Sequence, residues 1–226
     1  LFISPLLTVN QTAEPLTKDQ SGDLKKFKLS NYIETGVIPI SSLCMLVFLC
    51  YSSVVSFLTG YAQAINLTGA AGFFFVVYAL VMLVTRPAAG RMLDLKGERL
   101  IMYTSIMIFT IGMALYSQAE HGFTLLLSAG LIGLGVGAVQ LSTQTISVRI
   151  TPRPRLGLAN STYFMLCDIG MGVGPILAGL IISLSGYRGM YLGMVLISGL
   201  CLLLYYLLFG RSAKPADTGA RHQAIR

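Results

Sequence analysis

The sequence predicts an all-α membrane protein with six transmembrane helices. Three observations indicate this class: 54% of the 226 residues are hydrophobic, only 11% are charged, and the apolar residues fall into long runs. Soluble domains carry about 25% charged residues, whereas a run of about 20 apolar residues crosses the hydrocarbon core of a bilayer. The expected partner is therefore a lipid bilayer. The net charge of +7 does not predict a nucleic-acid partner, because the basic residues lie between the apolar runs.

Three segments surround or precede the predicted helices. Residues 1–9 are apolar but too short and wrongly flanked for a signal peptide, so we expect the end of a preceding span in a fragment of a longer protein. Residues 10–37 are polar and rich in lysine, as in a cytoplasmic linker. Residues 38–209 should form the six-helix half-bundle, and residues 210–226 a polar, basic cytoplasmic tail.

The first span is predicted over about residues 38–61, with Pro39 near its start, where the missing N–H is harmless. Four polar residues in and just after this span follow one another at i, i+4, i+7 and i+11 and share one helical face: Ser52, Ser56, Thr59 and Gln63. This face either lines a water-filled substrate cavity or packs against another helix through small residues.

The second and third spans are predicted over about residues 70–85, extending toward Ala88, and about residues 100–118. The segment between them, residues 86–99, holds four basic and two acidic residues and should form a turn in water. The third span is rich in Met and Ile and nearly featureless, which is typical of a helix that faces lipid.

The fourth span, about residues 123–148, changes from apolar to polar along its length. Its first half has a face of small residues that lets another helix approach closely: Gly130, Gly133 and Gly137. In its second half, Gln140 and Gln144 lie one turn apart among serines and threonines. Because an amide in hydrocarbon must find a partner, this half should face an interior, either a substrate cavity or an interhelical hydrogen bond.

A second basic turn, residues 149–157, leads to the fifth span at about residues 158–184 and the sixth at about 189–209. The fifth span contains glycines and a proline that bend a helix or admit close packing: Gly172, Gly174, Pro175 and Gly179. Asp168 is the only acidic residue inside a span. An intramembrane carboxylate is costly, so Asp168 is a candidate for proton coupling or for a structural hydrogen-bond acceptor.

The basic residues also assign the two sides of the membrane. Fifteen of the sixteen Lys and Arg residues fall on alternate connections, and only Arg188 falls on the opposite side. Cytoplasmic loops carry the excess of Lys and Arg. We therefore expect a multi-pass protein of the cell membrane with both ends in the cytoplasm, in agreement with an even number of spans.

The sequence offers little for enzyme chemistry. Both histidines lie outside the spans, and an intramembrane hydrolase would need a Ser–His pair or two membrane Asp residues. The four cysteines lie inside apolar runs without metal-like spacing and should be small buried hydrophobic residues: Cys44, Cys50, Cys167 and Cys201. No cofactor, metal or catalytic residue is expected.

The charged segment resembles the loop signature of the major facilitator superfamily, roughly R-x-x-G-R-x-x-D-x-x-G-x-R. Six residues match it: Arg86, Gly90, Arg91, Asp94, Gly97 and Arg99. Leu95 and Glu98 depart from it, since basic residues are common at both positions. The D-x-G-x-x-x-G-P-x-x-x-G arrangement that begins at Asp168 also resembles a motif of exporters in this superfamily.

The resemblance implies the C-terminal six-span half of a twelve-span secondary transporter, with the N-terminal half as its missing partner. Such a protein moves a small solute by alternating access, most like drug exporters of the superfamily and driven by protons. The resemblance assigns the first and fourth spans to the cavity wall and the third and sixth to the outside. Asp94 would act as a gate latch at a helix N-terminus or remain a solvated turn charge. The alternative functions are a non-transporting six-span scaffold or a truncated half-transporter, with an intramembrane enzyme a weaker alternative.

Overall fold

The computed structural model describes residues 33–209, and its helices confirm the all-helical class. Residues 34–209 belong to one compact unit. The predictions made for residues 1–32 and 210–226 lie outside the described residues. A short 3-10 helix, Thr35–Val37, leads into five long helices, with a second 3-10 helix, Arg153–Arg155, before the last: α1 Ile38–Ala64, α2 Thr68–Lys96, α3 Glu98–Ser117, α4 Gly122–Ile150 and α5 Leu156–Phe209.

All five long helices are apolar and long enough to cross a membrane. Their interior positions are mostly Leu, Ile, Val, Met, Phe and Ala, and an α-helix satisfies its backbone polar groups within the segment, as a lipid environment requires. Between α1 and α2 the turn is tight, with Asn66 at φ 57° and the Leu67 N–H donating to the Ala62 carbonyl at 2.8 Å.

The charged segment is helical, contrary to the turn predicted from its charges. Helix α2 continues through Pro87 to Lys96, and the break falls at Gly97, with φ 83° and ψ 161°. Only glycine adopts that backbone conformation readily. The prediction was wrong because charged side chains indicate that a segment contacts water, but they do not determine its backbone conformation. Arg, Ala, Met, Leu and Lys, which make up most of the segment, are strong helix formers.

The fifth and sixth predicted spans form one 54-residue helix, α5, interrupted at Gly186, with φ 68° and ψ −176°. The contacts of α5 with α1 show that the chain reverses there. From Cys167 to Tyr187 the partners on α1 advance from Cys44 to Gly60. After the break they go back, and Met194 receives a hydrogen bond from Cys50. We call Leu156–Ser185 the first arm and Tyr187–Phe209 the second arm of α5.

Glycines on α4 let this helix pack tightly between α2 and α3. A Cβ added to Gly133 would lie 2.7 Å from the Tyr78 carbonyl oxygen on α2. A Cβ added to Gly135 would lie 2.6 Å from Cβ of Phe109 on α3. These distances are shorter than van der Waals contact, so the backbones meet directly, as at small-residue crossings in membranes.

Helix α3 is more deeply packed than its sequence indicated. It was predicted to face lipid, yet six of its large side chains are buried: Ile101, Met102, Ile106, Phe109, Met113 and Tyr116. Its other side is exposed, with Met107 at 57% and Ile111 at 44%. Composition could not show which side is packed, because lipid tails and protein cores are equally apolar. Within the described part, α2 is the helix with the least buried membrane-length window, and Leu83 and Val84 are 69% and 71% exposed.

The two ends of the bundle differ in chemistry. At the basic end, Arg155 pairs with Glu34 at 3.0 Å and Arg149 pairs with Glu98 at 2.9 Å. At the opposite end, four tyrosines from α1, α3 and α5 form a cluster. The other three rings each lie about 5–6 Å from the Tyr61 ring, in edge-on or tilted contacts. Its members are Tyr61, Tyr116, Tyr187 and Tyr191.

Candidate functional site

The four polar residues predicted to share a face of α1 lie in two environments. Ser52 is buried, donates a hydrogen bond to the Leu49 carbonyl at 2.8 Å and sits against Gly174 of the first arm. It therefore packs against a helix and does not face a cavity. The other three, one or more turns further along, are exposed: Ser56, Thr59 and Gln63. The four residues therefore do not share one environment, although the helical period places them on one face.

One of these residues borders an open groove between α1 and α2. The groove has a volume of about 330 Å³ and is lined by Leu58, Thr59, Ala62, Thr68, Ala71, Gly72 and Phe75. The two threonines supply its hydroxyl groups. Pockets for small molecules are typically apolar with a few placed polar groups, and this groove has that composition.

On α4, Gln140 and Gln144 are half-buried. Their helical positions lie between two neighbouring surfaces of α4. One surface carries Gly133 and packs on α2, and the other carries Thr143 and contacts α5. The Gln144 amide nitrogen donates to the Asn160 side-chain oxygen on the first arm at 3.4 Å. Asn160 was missed by the sequence reasoning. Its signal was an amide residue near the start of the fifth span, at the level where the fourth span also turns polar.

Next to these amides, a buried polar network joins α1, α4 and α5. The Tyr163 hydroxyl donates to the Gln140 carbonyl at 3.1 Å and lies 3.2 Å from the Thr143 hydroxyl. It also lies 3.3 Å from the Cys44 sulfur. The Thr143 hydroxyl donates to the Val139 carbonyl at 2.8 Å. Each polar group in this network has a partner, as buried polar groups require.

Asp168 is exposed on the first arm, in contrast to the buried carboxylate that an intramembrane position suggested. Large apolar side chains surround it on the same uncovered surface, and further along Ile176 and Leu180 are 66% and 63% exposed. We use the name open face for two sets of exposed apolar side chains, those of the first arm and those of α2. Its other large members on the first arm are Phe164, Met165, Ile169, Val173, Leu177 and Leu184.

The small residues of the first arm divide between this open face and the contact with α1. Gly170 and Gly174 touch α1: an added Cβ would overlap the Met45 carbonyl oxygen at Gly170 and would lie 2.5 Å from the Leu49 carbonyl oxygen at Gly174. Gly172 has no atom within 4 Å of an added Cβ. A Cβ added to Gly179 would make an ordinary contact with Phe57 at 3.8 Å, and Pro175 is half-buried. Gly172 therefore makes no close helix contact within residues 33–209, whereas Gly170, which was not singled out, does.

The residues of the loop signature lie at the basic end of the bundle. Arg86, Arg91 and Arg99 are exposed, and Gly90 is half-buried with an added Cβ 4.0 Å from Leu141. Gly97 forms the break between α2 and α3. Asp94 lies in the last turns of α2, and its side chain is outside the described part of the structure.

Comparison with known proteins identifies relatives for this arrangement. Residues 40–225 match the sequence profile of the Major Facilitator Superfamily. The chain is 32% identical over 155 residues to "MFS-type transporter gkaD" of Penicillium citrinum, which covers 67% of this chain and 26% of the relative. It is 30% identical over 118 residues to "Putative multidrug resistance protein MdtD" of Enterobacter sp. (strain 638), covering 52% and 25%.

A third relative, "Multidrug resistance protein MdtG" of Dickeya zeae (strain Ech586), is 25% identical over 178 residues, covering 76% of this chain and 43% of the relative. The chain therefore spans less than half the length of each of these three relatives.

Proposed function

Because the chain belongs to the major facilitator superfamily, we propose that it is the C-terminal six-span half of a secondary active transporter that exports a small solute. The observation that carries this proposal is the open face. Helix α2 and the first arm of α5 each leave a series of large apolar side chains uncovered. Polar residues of α1 and the Asp168 carboxylate on the first arm are also exposed, and lipid alone would not accommodate them.

Six spans are supported by the reversal of α5 at Gly186. As a single span, a helix of 54 residues would be about 80 Å long, far more than the roughly 30 Å hydrocarbon core. Divided at Gly186, its two arms are about 45 and 35 Å long, and each is sufficient to cross. The basic end would then lie on the cytoplasmic side of the cell membrane. In the described residues, Arg188 is the one Lys or Arg at the opposite end, and cytoplasmic loops carry the excess of Lys and Arg.

The partner that we propose for the open face is a second, N-terminal six-span half. An uncovered apolar surface that also contains a carboxylate is better covered by protein than by lipid, because protein can supply a hydrogen bond to Asp168. Solute sites of such transporters lie near the bilayer midplane between two halves. The covering half would place the solute against the polar residues of α1 and α4: Ser56, Thr59, Gln63, Gln140 and Gln144.

We further propose that protons drive the export. The relatives include a "Multidrug resistance protein" and an "MFS-type efflux transporter", which favours outward movement of a drug-like solute. Among the acidic residues of the described part, Asp168 lies farthest inside a helix. It is therefore the candidate to carry the proton that moves inward as the solute moves outward. Its alternative role is to accept a structural hydrogen bond from the second half. Asp94 remains the candidate gate latch at the basic end.

The test is transport in everted membrane vesicles that contain the gene product carrying this chain. Ethidium serves as the solute, and a pH-sensitive dye reports the proton gradient. We expect accumulation of ethidium that a protonophore abolishes, together with partial collapse of the gradient when ethidium is added. Accumulation unaffected by the protonophore would contradict proton coupling. Absence of any accumulation at normal expression would contradict export of this solute class.

Three substitutions at two residues, with a fourth as control, test the proposed roles. Asp168→Asn should abolish the coupled collapse of the proton gradient, and Asp168→Glu should retain it. Gln144→Ala should raise the KM for ethidium about 5–10-fold, the equivalent of one lost hydrogen bond of about 1 kcal/mol. The matched control is Ser183→Ala, because Ser183 is exposed and its hydroxyl bonds only within its own helix, to the Leu180 carbonyl at 2.7 Å. A KM change in the control equal to that of Gln144→Ala would remove the cavity assignment.

A further inference from the structure

Two of the four cysteines touch each other across the contact between α1 and the first arm. The Cys167 thiol donates to the Cys44 sulfur at 3.5 Å, although the two residues are 123 positions apart in the sequence. Both are free thiols, and both are buried, with Cys44 fully buried and Cys167 3% exposed. Neither takes part in the proposed transport.

The surrounding packing holds the two sulfurs together. One residue beyond Cys44, the Met45 carbonyl would overlap a Cβ added to Gly170, so the backbones of α1 and the first arm meet at this level. Cys44 also contacts the Tyr163 hydroxyl at 3.3 Å, and this hydroxyl donates to the Gln140 carbonyl. The Cys44 side chain therefore contacts both Tyr163 and Cys167.

We propose that Cys44 and Cys167 are an oxidisable thiol pair that closes to a disulfide when an apolar two-electron oxidant reaches it from the membrane. In a disulfide the sulfurs are about 2.05 Å apart, so the two atoms need to approach by about 1.5 Å from their present contact. Intramolecular contact of this kind replaces a bimolecular encounter. Burial excludes water-soluble oxidants, and this is why the oxidant must be apolar.

With molecular iodine as the oxidant, the step balances. Each thiol loses its proton, the two sulfurs share a new bond, and one iodine molecule accepts two electrons to become two iodide ions. The disulfide would bridge α1 and the first arm of α5. A thiol reductant that enters the unfolded protein would reverse it by exchange.

The test counts free thiols in the full chain in detergent. The protein is treated with iodine or left untreated, then unfolded and labelled with N-ethylmaleimide, and the labelled peptides are identified by mass. We expect the four labels of the untreated chain to fall to two after iodine, with the loss confined to Cys44 and Cys167, and to return after reduction. A positively charged thiosulfonate applied to the folded protein should label neither residue.

The other two cysteines provide the matched control. Cys50 and Cys201 are also buried, but the Cys50 thiol donates to the Met194 carbonyl at 3.5 Å rather than to a sulfur. The variant C50S/C201S should lose both remaining labels with iodine, and C44S/C167S should keep both. If the wild-type chain keeps all four labels while eluting as a folded species, or if the loss falls on single cysteines or on Cys50 and Cys201, the thiol pair is refuted. The wild-type result decides even where a double variant fails to fold.

Discussion

Gly174 on the first arm of α5 offers a direct test of how the last helix packs on the first. Substitution by alanine adds one methyl group at a backbone contact. That methyl would overlap the Ser52 hydroxyl and would lie 2.5 Å from the Leu49 carbonyl oxygen. A serine side chain can rotate away, but a helical carbonyl cannot. The two helices must therefore separate by at least about 0.5 Å for the methyl to reach 3.0 Å from that oxygen.

The size of the effect follows from two opposing contributions. Overpacking of a well-packed core costs about 1–3 kcal/mol, while alanine gains about 1 kcal/mol over glycine in helix propensity. We therefore expect Gly174→Ala to lower the free energy of unfolding by up to about 2 kcal/mol relative to wild type. In a protein of this size, the upper figure corresponds to a melting temperature lower by about 4–8 °C.

The control is Gly172→Ala, two residues earlier in the same helix. Its added methyl meets nothing within 4 Å, so only the propensity gain remains, and the melting temperature should stay equal or rise. Gly172 belongs to the open face, so this comparison holds for the chain without a covering partner. The assay is thermal unfolding of the purified chain in detergent, followed by tyrosine fluorescence, since the chain has no tryptophan.

Two results would refute this reasoning. If Gly174→Ala were as stable as Gly172→Ala, the first arm would not lie against α1 as described. If both substitutions lowered the melting temperature equally, the loss would come from helix bending at glycine and not from the contact. In either case the close packing of the first arm on α1 at Gly174 would lose its support.

Three further substitutions probe other contacts by the same melting assay. Tyr61→Phe removes a hydroxyl that lies 3.0 and 3.2 Å from two carbonyl oxygens at the end of α3, so we expect a loss of about 1–3 kcal/mol; an unchanged melting temperature would contradict these bonds. Gly97→Ala places a Cβ at φ 83°, which should cost about 1–3 kcal/mol, and a neutral result would mean that the break lies elsewhere. Glu120→Gln removes an exposed pair with Arg188 at 3.3 Å, and we expect a change below about 1 kcal/mol; a larger loss would indicate a buried pair.

The sequence was sufficient for the helical membrane class because two quantities decide it, length and hydrophobicity. Both are properties of a single segment and do not depend on which helices pack beside it. The start of α1 near Pro39 follows from proline chemistry in the same way. What local patterns could not supply is the identity of each helix's neighbours. Helix α3 is an example, because its Met and Ile residues are equally suited to lipid and to a protein core.

The candidate site shows the same division. Ser52 and Ser56 are one turn apart and share a face, yet Ser52 is buried against the first arm and Ser56 is exposed. The difference depends on which residues of α1 meet the glycines of the first arm, and Ser52 lies against Gly174. Likewise, the contact of Cys44 with Cys167 joins segments 123 residues apart, and no spacing rule within one helix could indicate it.

The position of α1 between both arms of α5 has a consequence for biosynthesis. Among the helices of residues 33–209, the first to be synthesised finds its main partner in the last. At about 5–20 residues per second, the interval between synthesis of Cys44 and Cys167 is roughly 6–25 s. During that time the face of α1 that will receive Gly170 and Gly174 must be shielded by lipid, by the translocation machinery or by a chaperone. A bundle of this kind cannot assemble strictly in the order of its synthesis, and truncation before the first arm would leave α1 without its partner.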